Sequence, residues 1–257
     1  MKKLTRLLLP VALVFIVAAC SSLPEYGKSS RSQKTHTVEV PAVEPPNINS
    51  WTSITRTFAK TAKTAELPFA QTWLPEKDSG FREGTVRLAH GKDRLFVLAD
   101  LTDEQLATRA KQNNENLWSL GDVFEIFVRD LGGDLYYEFH TAPNGKNLQL
   151  SFPSQRFFES RNFELDDLKV AKPTYDYRIR KTAKGWQIYA ELDARTLFGA
   201  GATPLTDRQW LVSFGRYDYP DTQEESKGIL SSTSPHKRPL SYHHQRYWTR
   251  IVFAPEA

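Results

Sequence analysis

The sequence predicts an all-β fold, an antiparallel β-sandwich of about nine or more strands with one or two short helices. After residue 50, most segments alternate apolar and polar side chains with a period of two, and they are rich in β-branched and aromatic residues. Glycine and proline separate these segments, and no internal repeat is visible along the chain. A closed β-barrel is the alternative arrangement of the same strands.

Eight segments carry the strand pattern. Residues 147–152 are the clearest, because Leu148, Leu150 and Phe152 fall on one face and polar residues on the other. Residues 143–145 (Pro-Asn-Gly) favour a turn between this strand and residues 136–141, which predicts a hairpin. Residues 94–101 are nearly all apolar, as in a strand buried on both faces. The other predicted strands are residues 123–129, 175–181, 186–192, 210–216 and 247–253.

One short helix is expected over residues 103–112. Thr102 would cap its first turn, and Gln105 lies three residues later, where a capping box places its second partner.

The first twenty residues are organised like a secretory signal peptide. Basic residues Lys2, Lys3 and Arg6 precede an apolar run of thirteen residues at 7–19. This run contains a proline and is shorter than the roughly 20 residues that span a membrane. A plain signal peptide or a membrane anchor helix is the alternative.

The end of the apolar run indicates how the protein is processed. Residues 17–21 (Val-Ala-Ala-Cys-Ser) resemble the lipobox of bacterial lipoproteins, which implies removal of residues 1–19 and lipid attachment to Cys20. Several acyl chains on one cysteine would give a durable membrane anchor. Ser21 resembles the residue type that lets lipoproteins reach the outer membrane. We therefore expect a lipid-anchored protein of the bacterial cell envelope, at the outer membrane.

The rest of the chain divides by composition into a tether and a domain. Residues 20–50 are rich in serine and proline and poor in large apolar side chains, so they do not bury enough surface to order themselves. As a flexible coil, this tether would span about 30 Å root-mean-square. The alternative is that Thr37–Val40 forms an edge strand of the domain. Residues 51–257 would form the β-sandwich.

Charge and cysteine content exclude several classes of function. The chain has 34 basic and 30 acidic residues; without residues 1–19, which hold three basic residues and no acidic one, 31 and 30 remain. A nucleic-acid-binding protein needs a clustered basic surface, and electrostatic membrane binding needs a basic segment. The nearly balanced charge argues against both.

Cys20 is the only cysteine, so no disulfide forms within the chain. We expect a monomer that does not bind nucleic acid.

The sequence lacks the motifs of several kinds of chemistry. It contains no phosphate-binding glycine loop, no G-x-S-x-G elbow and no HExxH or CxxC metal signature. His243 and His244 are adjacent, and on a strand they would point to opposite faces and would not share an ion. We therefore predict no metal site.

Two glutamates need separate consideration. Glu125 and Glu138 lie on adjacent predicted strands, both on the face opposite the apparent core. If these strands pair, the two carboxylates come within several ångströms of each other, and glycoside hydrolysis uses such a pair. The alternative is that both carboxylates are solvated or form salt bridges with Arg129 or Arg216.

Several segments resemble the family 9 carbohydrate-binding modules, which belong to the DOMON-like β-sandwiches. Residues 117–127 (LWSLGDVFEIF) resemble the family's core motif of a tryptophan, an aspartate and a Glu-Ile-Phe strand. Residues 95–103 (LFVLADLTD) resemble the strand before it, and residues 136–145 (YYEFHTAPNG) the hairpin after it. Residues 185–192 and 213–217 resemble later strands, so the likeness covers about residues 65–254.

The resemblance implies a sugar-binding site. In sugar-binding members two tryptophans clamp a sugar ring, and Trp118 matches one of them. The second would fall within residues 229–235, which contain no tryptophan. Positions that bind sugar hydroxyls in the family imply five polar ligand-binding residues here: Glu125, Glu138, His140, Asn144 and Arg216. Some members hold structural calcium, but this chain lacks a dense Asp/Asn loop, so we predict no cofactor.

We therefore expect a membrane-anchored protein that binds an oligo- or polysaccharide, has no catalytic residues and is not an enzyme. A shared fold hosts many functions, so this expectation depends partly on analogy. The first alternative is an envelope scaffold that has lost sugar binding, which the absence of a second tryptophan favours. The second is a glycoside hydrolase that uses Glu125 and Glu138.

Overall fold

The computed structural model describes residues 36–61, 65–170, 174–199 and 204–256. Within these ranges the chain forms twelve β-strands and three short α-helices. The strands are β1 Thr37–Val40, β2 Glu66–Pro68, β3 Gly84–His90, β4 Arg94–Thr102, β5 Val123–Asp130, β6 Tyr136–Thr141, β7 Asn147–Phe152, β8 Tyr175–Thr182, β9 Gly185–Asp193, β10 Gln209–Asp218, β11 Ile229–Ser232 and β12 Thr249–Phe253. The helices are α1 Trp51–Lys60, α2 Gln155–Ser160 and α3 Ala194–Phe198.

The strands form two sheets that pack face to face. The larger sheet has the order β1-β12-β10-β5-β6-β7, with β11 added beside β10. The smaller sheet has the order β2-β3-β4-β9-β8. All the strand pairs are antiparallel except β1 with β12. This arrangement confirms the predicted all-β sandwich, and each of the eight predicted strands is present with both ends within two residues of the prediction.

The main hydrophobic core lies between the two sheets. Because side chains alternate along a strand, every second residue of each sheet points into this space. The larger sheet contributes Phe124, Ile126, Val128, Val212 and Phe214, and the smaller sheet contributes Val86, Leu88, Val97, Ile188 and Ala190. The rings of Phe124 and Phe214 stack with centroids 5.9 Å apart.

The outer face of the larger sheet is also apolar over much of its area. Here Phe127, Leu148, Leu150 and Phe152 form a second buried cluster with side chains from the following loops. Helix α2 belongs to this cover; the Ser154 side chain caps its start by accepting a hydrogen bond from the backbone N–H of Phe157. Several residues of this second apolar layer also line a cavity on the outer face of the sheet.

The outer face of the smaller sheet is covered by α1. Ser50 caps the helix, and Ile54 and Phe58 pack onto Phe96 and Tyr189 of the sheet. The sequence-based predictions do not include this helix.

The helix expected over residues 103–112 is absent. Asp103 accepts a hydrogen bond from the backbone N–H of Gln105, which makes a turn. The backbone of Ala107 then exchanges hydrogen bonds with Asp122, and Thr108 forms a β-bridge with Gly121. These tertiary hydrogen bonds take the backbone groups that a helix would have paired internally.

The expected tether extends too far along the chain. Strand β1, which the sequence offered as the alternative, pairs with β12, and its Val38 and Val40 are buried in the main core. The sandwich therefore includes residues before 51, and the predicted domain boundary is corrected to position 37 or earlier. The predicted signal peptide and Cys20 lie outside the described residues and remain predictions.

No helix in the described part of the chain is long and apolar enough to cross a membrane.

We predict that Val40→Ala destabilises the protein by about 2 kcal/mol, because it removes two methyl groups from a fully buried site and leaves a cavity. Chemical denaturation would measure this loss. The matched control is Glu39→Ala, on the exposed face of the same strand, which should change the free energy of unfolding by less than about 0.5 kcal/mol. Equal stability of parent and Val40→Ala would show that β1 does not contribute to the core in solution.

Candidate functional site

A cavity of about 350 Å³ lies on the outer face of the larger sheet. Its sheet-borne residues come from β5, β6, β7 and β10. Its other walls come from the turn before β5, from α2 with the loop after it and from residues 240–243. The aromatic side chains that line it are Trp118, Phe127, Phe152, Phe158, Phe163, Tyr217 and Tyr242. Small-molecule sites typically have volumes of about 300–1,000 Å³ and apolar walls with a few polar groups.

Two carboxylates, Glu125 and Glu138, line this cavity, and the buried His140 contacts both. These three residues are here called the Glu125–His140–Glu138 cluster. The antiparallel register places Glu125 of β5 opposite His140 of β6. Glu138 lies two residues before His140, so it shares the same face. His140 Nδ1 lies 3.2 Å from Glu125 Oε1, and its Nε2 lies 2.6 Å from Glu138 Oε1. A single imidazole therefore bridges the two carboxylates.

The three side chains are almost completely removed from solvent: 1% of Glu125, 5% of Glu138 and none of His140 is exposed. Burial raises the pKa of Glu125 to about 8, against the opposing effect of His140. Burial also disfavours the charge on His140, but Glu125 and Glu138 outweigh it and raise the pKa of the imidazole. Glu138 is likewise buried, yet its histidine neighbours outweigh the burial and lower its pKa. Near neutral pH the cluster therefore combines a largely protonated Glu125 with an ionised Glu138.

His243 completes the polar wall next to Glu138. Its Nε2 lies 3.5 Å from Glu138 Oε2, its Nδ1 lies 2.8 Å from the Tyr136 hydroxyl, and its ring stacks on Phe158 at 3.6 Å. Burial lowers the pKa of His243 to about 4, so the imidazole is neutral near pH 7. The pKa of Glu138 is lowered first by the contact with His243 and then by the contact and hydrogen bond with His140.

Trp118 lies in a 3-10 turn, Leu117–Ser119, just before β5. The Tyr219 hydroxyl donates a hydrogen bond to its backbone carbonyl at 2.7 Å, which holds the turn in place. The indole lies beside His140 with ring centroids 5.3 Å apart. It is half-buried and lines the cavity, so it is not sealed in the core.

Of the six predicted ligand-binding residues, Trp118, Glu125 and Glu138 line this cavity, and the buried His140 contacts all three of them. Asn144 and Arg216 lie elsewhere. Asn144 is exposed in the turn between β6 and β7, where its side-chain amide donates to the carbonyl of Ala110 at 2.8 Å. It organises a turn and is not part of the cavity lining.

Arg216 is on the opposite face of the larger sheet. On β10, Gly215 pairs with Glu125 and Arg216 pairs with Phe124, so Arg216 points inward with the core. Its guanidinium lies 2.6 Å from the carbonyl of Thr102 and 3.1 Å from Asp218 Oδ2. The alternative that Arg216 neutralises Glu125 is therefore wrong. Arg129 does not do so either, since it binds Asp134 and Gln245.

A second acidic cluster surrounds Arg216 at the edge of the core, formed by Asp103, Asp122 and Asp218. Burial raises the pKa of Asp122 to about 8 and that of Asp218 to about 6. Both carboxylate oxygens of Asp122 accept backbone N–H groups, and Arg216 and Arg82 approach Asp218. Two arginines therefore already supply positive charge to this trio.

The sequence did not identify the aromatic walls of the cavity. The signal was present in β7, whose alternating leucines and phenylalanine lie on the same face as Glu138, because Leu150 pairs with Glu138 across the ladder. An apolar face on the same side as buried carboxylates indicates a covered pocket, not a solvated surface. The second tryptophan of a clamp is absent from the cavity lining, as residues 229–235 indicated.

Comparison with known proteins supports the fold. No protein-family model matches the chain, and no curated protein matches it. Among solved structures, a Bacteroides uniformis protein with an inferred carbohydrate-binding role matches 86% of this chain and 100% of its own, with a TM-score of 0.63 and 14% identity. A family 9 carbohydrate-binding module from Caldicellulosiruptor kristjanssonii, in complex with cellotriose, matches 86% of this chain and 95% of its own (TM-score 0.56, 9% identity). In a glucose complex, such a module covers 97% of its own chain and again 86% of this one (TM-score 0.53, 7% identity).

These matches define the class of fold. The chain is a β-sandwich with the fold of the family 9 carbohydrate-binding modules. The fold predicted from the resemblance is thereby confirmed, whereas the role of each site residue remains a prediction.

We predict that His236 makes the protein sensitive to acid. Its ring is buried between Tyr242 and Tyr247, and burial, with His244 and His243, lowers its pKa to about 4. An unfolded histidine has a pKa near 6.5, so the native state binds fewer protons than the unfolded state between these values. His236 therefore leaves the free energy of unfolding unchanged above about pH 6.5 and lowers it progressively as the pH falls towards 4.

The measurement is the free energy of unfolding of His236→Asn and the parent at intervals from pH 7 to pH 4. The parent should lose up to about 1.4 kcal/mol more per pH unit than the variant in this window. His36→Asn, at an exposed histidine, is the control and should follow the parent. Identical pH profiles for the parent and His236→Asn would contradict the prediction.

Proposed function

We propose that the protein binds carbohydrate in the cavity on the outer face of its larger sheet, without breaking a bond. The observation that carries the proposal is the half-buried Trp118 ring, which lines a cavity that also contains two buried carboxylates. The fold shared with the family 9 modules, which include complexes with cellotriose and glucose, supports the same function.

The lining suits a sugar because it combines a flat aromatic ring, Trp118, with the carboxyl groups of Glu125 and Glu138. The apolar face of a pyranose loses little hydration against an indole and gains dispersion contacts. Protonated Glu125 both donates and accepts hydrogen bonds, and ionised Glu138 accepts strong ones. The volume lies near the lower end of the usual range for ligand pockets, which favours the end of a glycan or a short oligosaccharide.

The arrangement of the carboxylates favours binding over hydrolysis. A glycoside hydrolase places its acid and its nucleophile or base on the two sides of the scissile bond. Here Glu125 and Glu138 lie on adjacent strands of one sheet and share one bridging histidine. We therefore propose a non-catalytic role, and incubation with oligosaccharides should release no reducing sugar.

We further propose that a lipid on Cys20 anchors the domain at the bacterial outer membrane. The support is the sequence order of basic start, apolar run and lipobox-like residues. Fifteen residues lie between Cys20 and His36, and the sixteen Cα–Cα steps that join them reach at most about 55 Å. The domain would then present its cavity to glycans close to the membrane.

We predict that Trp118→Ala weakens glycan binding by about tenfold or more, equivalent to ~1.4 kcal/mol, because the stacking plate is lost. Isothermal titration calorimetry with a panel that includes cellotriose and glucose measures the effect. Trp51→Ala is the matched control, since Trp51 lies on α1 beneath the Arg180 guanidinium and away from the cavity. Unchanged affinity in Trp118→Ala would contradict the role of the indole. If the parent binds no glycan in a broad array, the scaffold alternative is favoured.

We predict that Cys20→Ser moves the full-length protein from the detergent phase to the aqueous phase in Triton X-114 partitioning, because the acylated residue is gone. Ser22→Ala keeps the cysteine and should remain in the detergent phase. Ser21→Asp should remain lipidated but shift from the outer-membrane to the inner-membrane fraction. Equal partitioning of the parent and Cys20→Ser would contradict lipid anchoring.

A further inference from the structure

We propose that the Glu125–His140–Glu138 cluster binds one divalent transition-metal ion, of the zinc class, in the wall of the cavity. This inference goes beyond the proposed carbohydrate binding and does not depend on it. It contradicts the sequence-based expectation of no metal site, which considered the His243–His244 pair and not these strand residues.

The first observation is the convergence of three ligand-type side chains. One ligand atom each from Glu125, Glu138 and His140 lies within 4.8 Å of the other two. A zinc ion with bonds of about 2.0–2.2 Å holds its ligand atoms no more than roughly 4.4 Å apart. In a tetrahedral site with such bonds the ligand atoms lie roughly 3.3–3.6 Å apart, so these side chains would close around an ion by up to about 1.5 Å. The paired strands β5 and β6 hold Glu125 opposite His140 for this purpose.

The second observation is independent of proximity. Glu125 Oε2, Glu138 Oε2 and His140 Nδ1 are buried and have no hydrogen-bond partner among the described residues. His140 Nδ1 approaches Glu125 Oε1 to 3.2 Å, but without the geometry of a hydrogen bond. Leaving a buried, ionisable group unpaired is costly, and three such atoms in one cluster indicate a missing electrophile. A metal ion would accept electron pairs from these same atoms.

The third observation is the source of positive charge. In the described part of the chain, no lysine or arginine forms an ion pair with Glu125 or Glu138, and their charged partners are histidines. The Asp103–Asp122–Asp218 trio differs, because Arg216 and Arg82 supply positive charge there. A dication with two carboxylates and a neutral imidazole is electrically balanced.

The donor set selects the class of metal. Carboxylate and imidazole together suit zinc and its neighbours in the first transition row, whereas calcium and magnesium prefer oxygen alone. The Tyr136 hydroxyl and His243 form an outer chain of contacts that leads to Glu138 and would orient it as a ligand. Three protein ligands leave a coordination position that faces the cavity, where a water or a sugar hydroxyl completes the shell.

The test uses the whole protein, stripped with a chelator and dialysed, and titrated with Zn²⁺ alone. Calorimetry and elemental analysis should give one Zn²⁺ per chain, and the thermal midpoint should rise on binding. Loss of an outer-shell partner typically weakens metal binding about 10–100-fold. Because Glu138 and His140 are proposed as direct ligands, Glu138→Gln and His140→Asn should each weaken Zn²⁺ binding by more than about 100-fold. Glu125→Gln, which keeps the shape of the side chain, is a further variant if His140→Asn does not fold.

His244→Asn is the matched control, because His244 adjoins the site in sequence but contacts Tyr247 instead, and it should bind like the parent. The inference is overturned if the parent takes up no stoichiometric Zn²⁺, or if Glu138→Gln and Glu125→Gln bind it as tightly as the parent. Glycan titrations on the chelator-treated protein separate the two proposals: sugar binding without metal leaves the proposed function intact while the metal site fails.

Discussion

The antiparallel pairing of β5 with β6 is the constraint on which the site depends. Its register sets Glu125 against His140, and the two-residue period brings Glu138 to the same face. A shift of the register by one residue would exchange this face with the main core and place three ionisable groups between the sheets. The apolar residues Phe124, Ile126 and Phe139 on the inner face exclude that alternative energetically.

The neighbouring strand β7 explains why the cluster is buried although it lies on the outer face of a sheet. Sheet faces in sandwiches are commonly solvated on the outside. Here β7 places Leu148, Leu150 and Phe152 on the outside as well, and these side chains need cover from α2 and residues 240–248. The cover removes water from the carboxylates, and this desolvation is the largest influence on the pKa of Glu125.

The sequence predicted the strands well because their pattern is local. Alternation, turn residues and β-branched content are properties of five to ten consecutive residues, and they located β5, β6 and β7 to within two residues. The helix predicted after Thr102 failed for the opposite reason. Its backbone groups pair with Asp122 and Gly121, and partners that distant in the chain leave no trace in a local pattern.

The site was predictable in part for the same reason. Glu125, Glu138 and His140 could be placed on one face by counting along the strands, and Trp118 by its place before β5. Counting along the strand did not show which face of the sheet Arg216 lies on relative to Glu125. That depends on the register between β10 and β5, which neighbours in sequence do not reveal. The cover over the cavity comes from loops, whose conformation the pattern does not encode.

The position of Arg216 in turn determines the electrostatics of the outer face. Because this guanidinium points inward, its charge is committed to Asp103, Asp218 and the carbonyl of Thr102. Gly215, which stands opposite Glu125, brings no side chain, and a Cβ atom there would lie 2.8 Å from Glu125 Oε2. Neither residue can therefore neutralise the outer carboxylates. Among the described residues the charged groups that pair with Glu125 and Glu138 are histidines. A proton, a metal ion and a sugar hydroxyl would therefore compete for the same buried oxygen atoms.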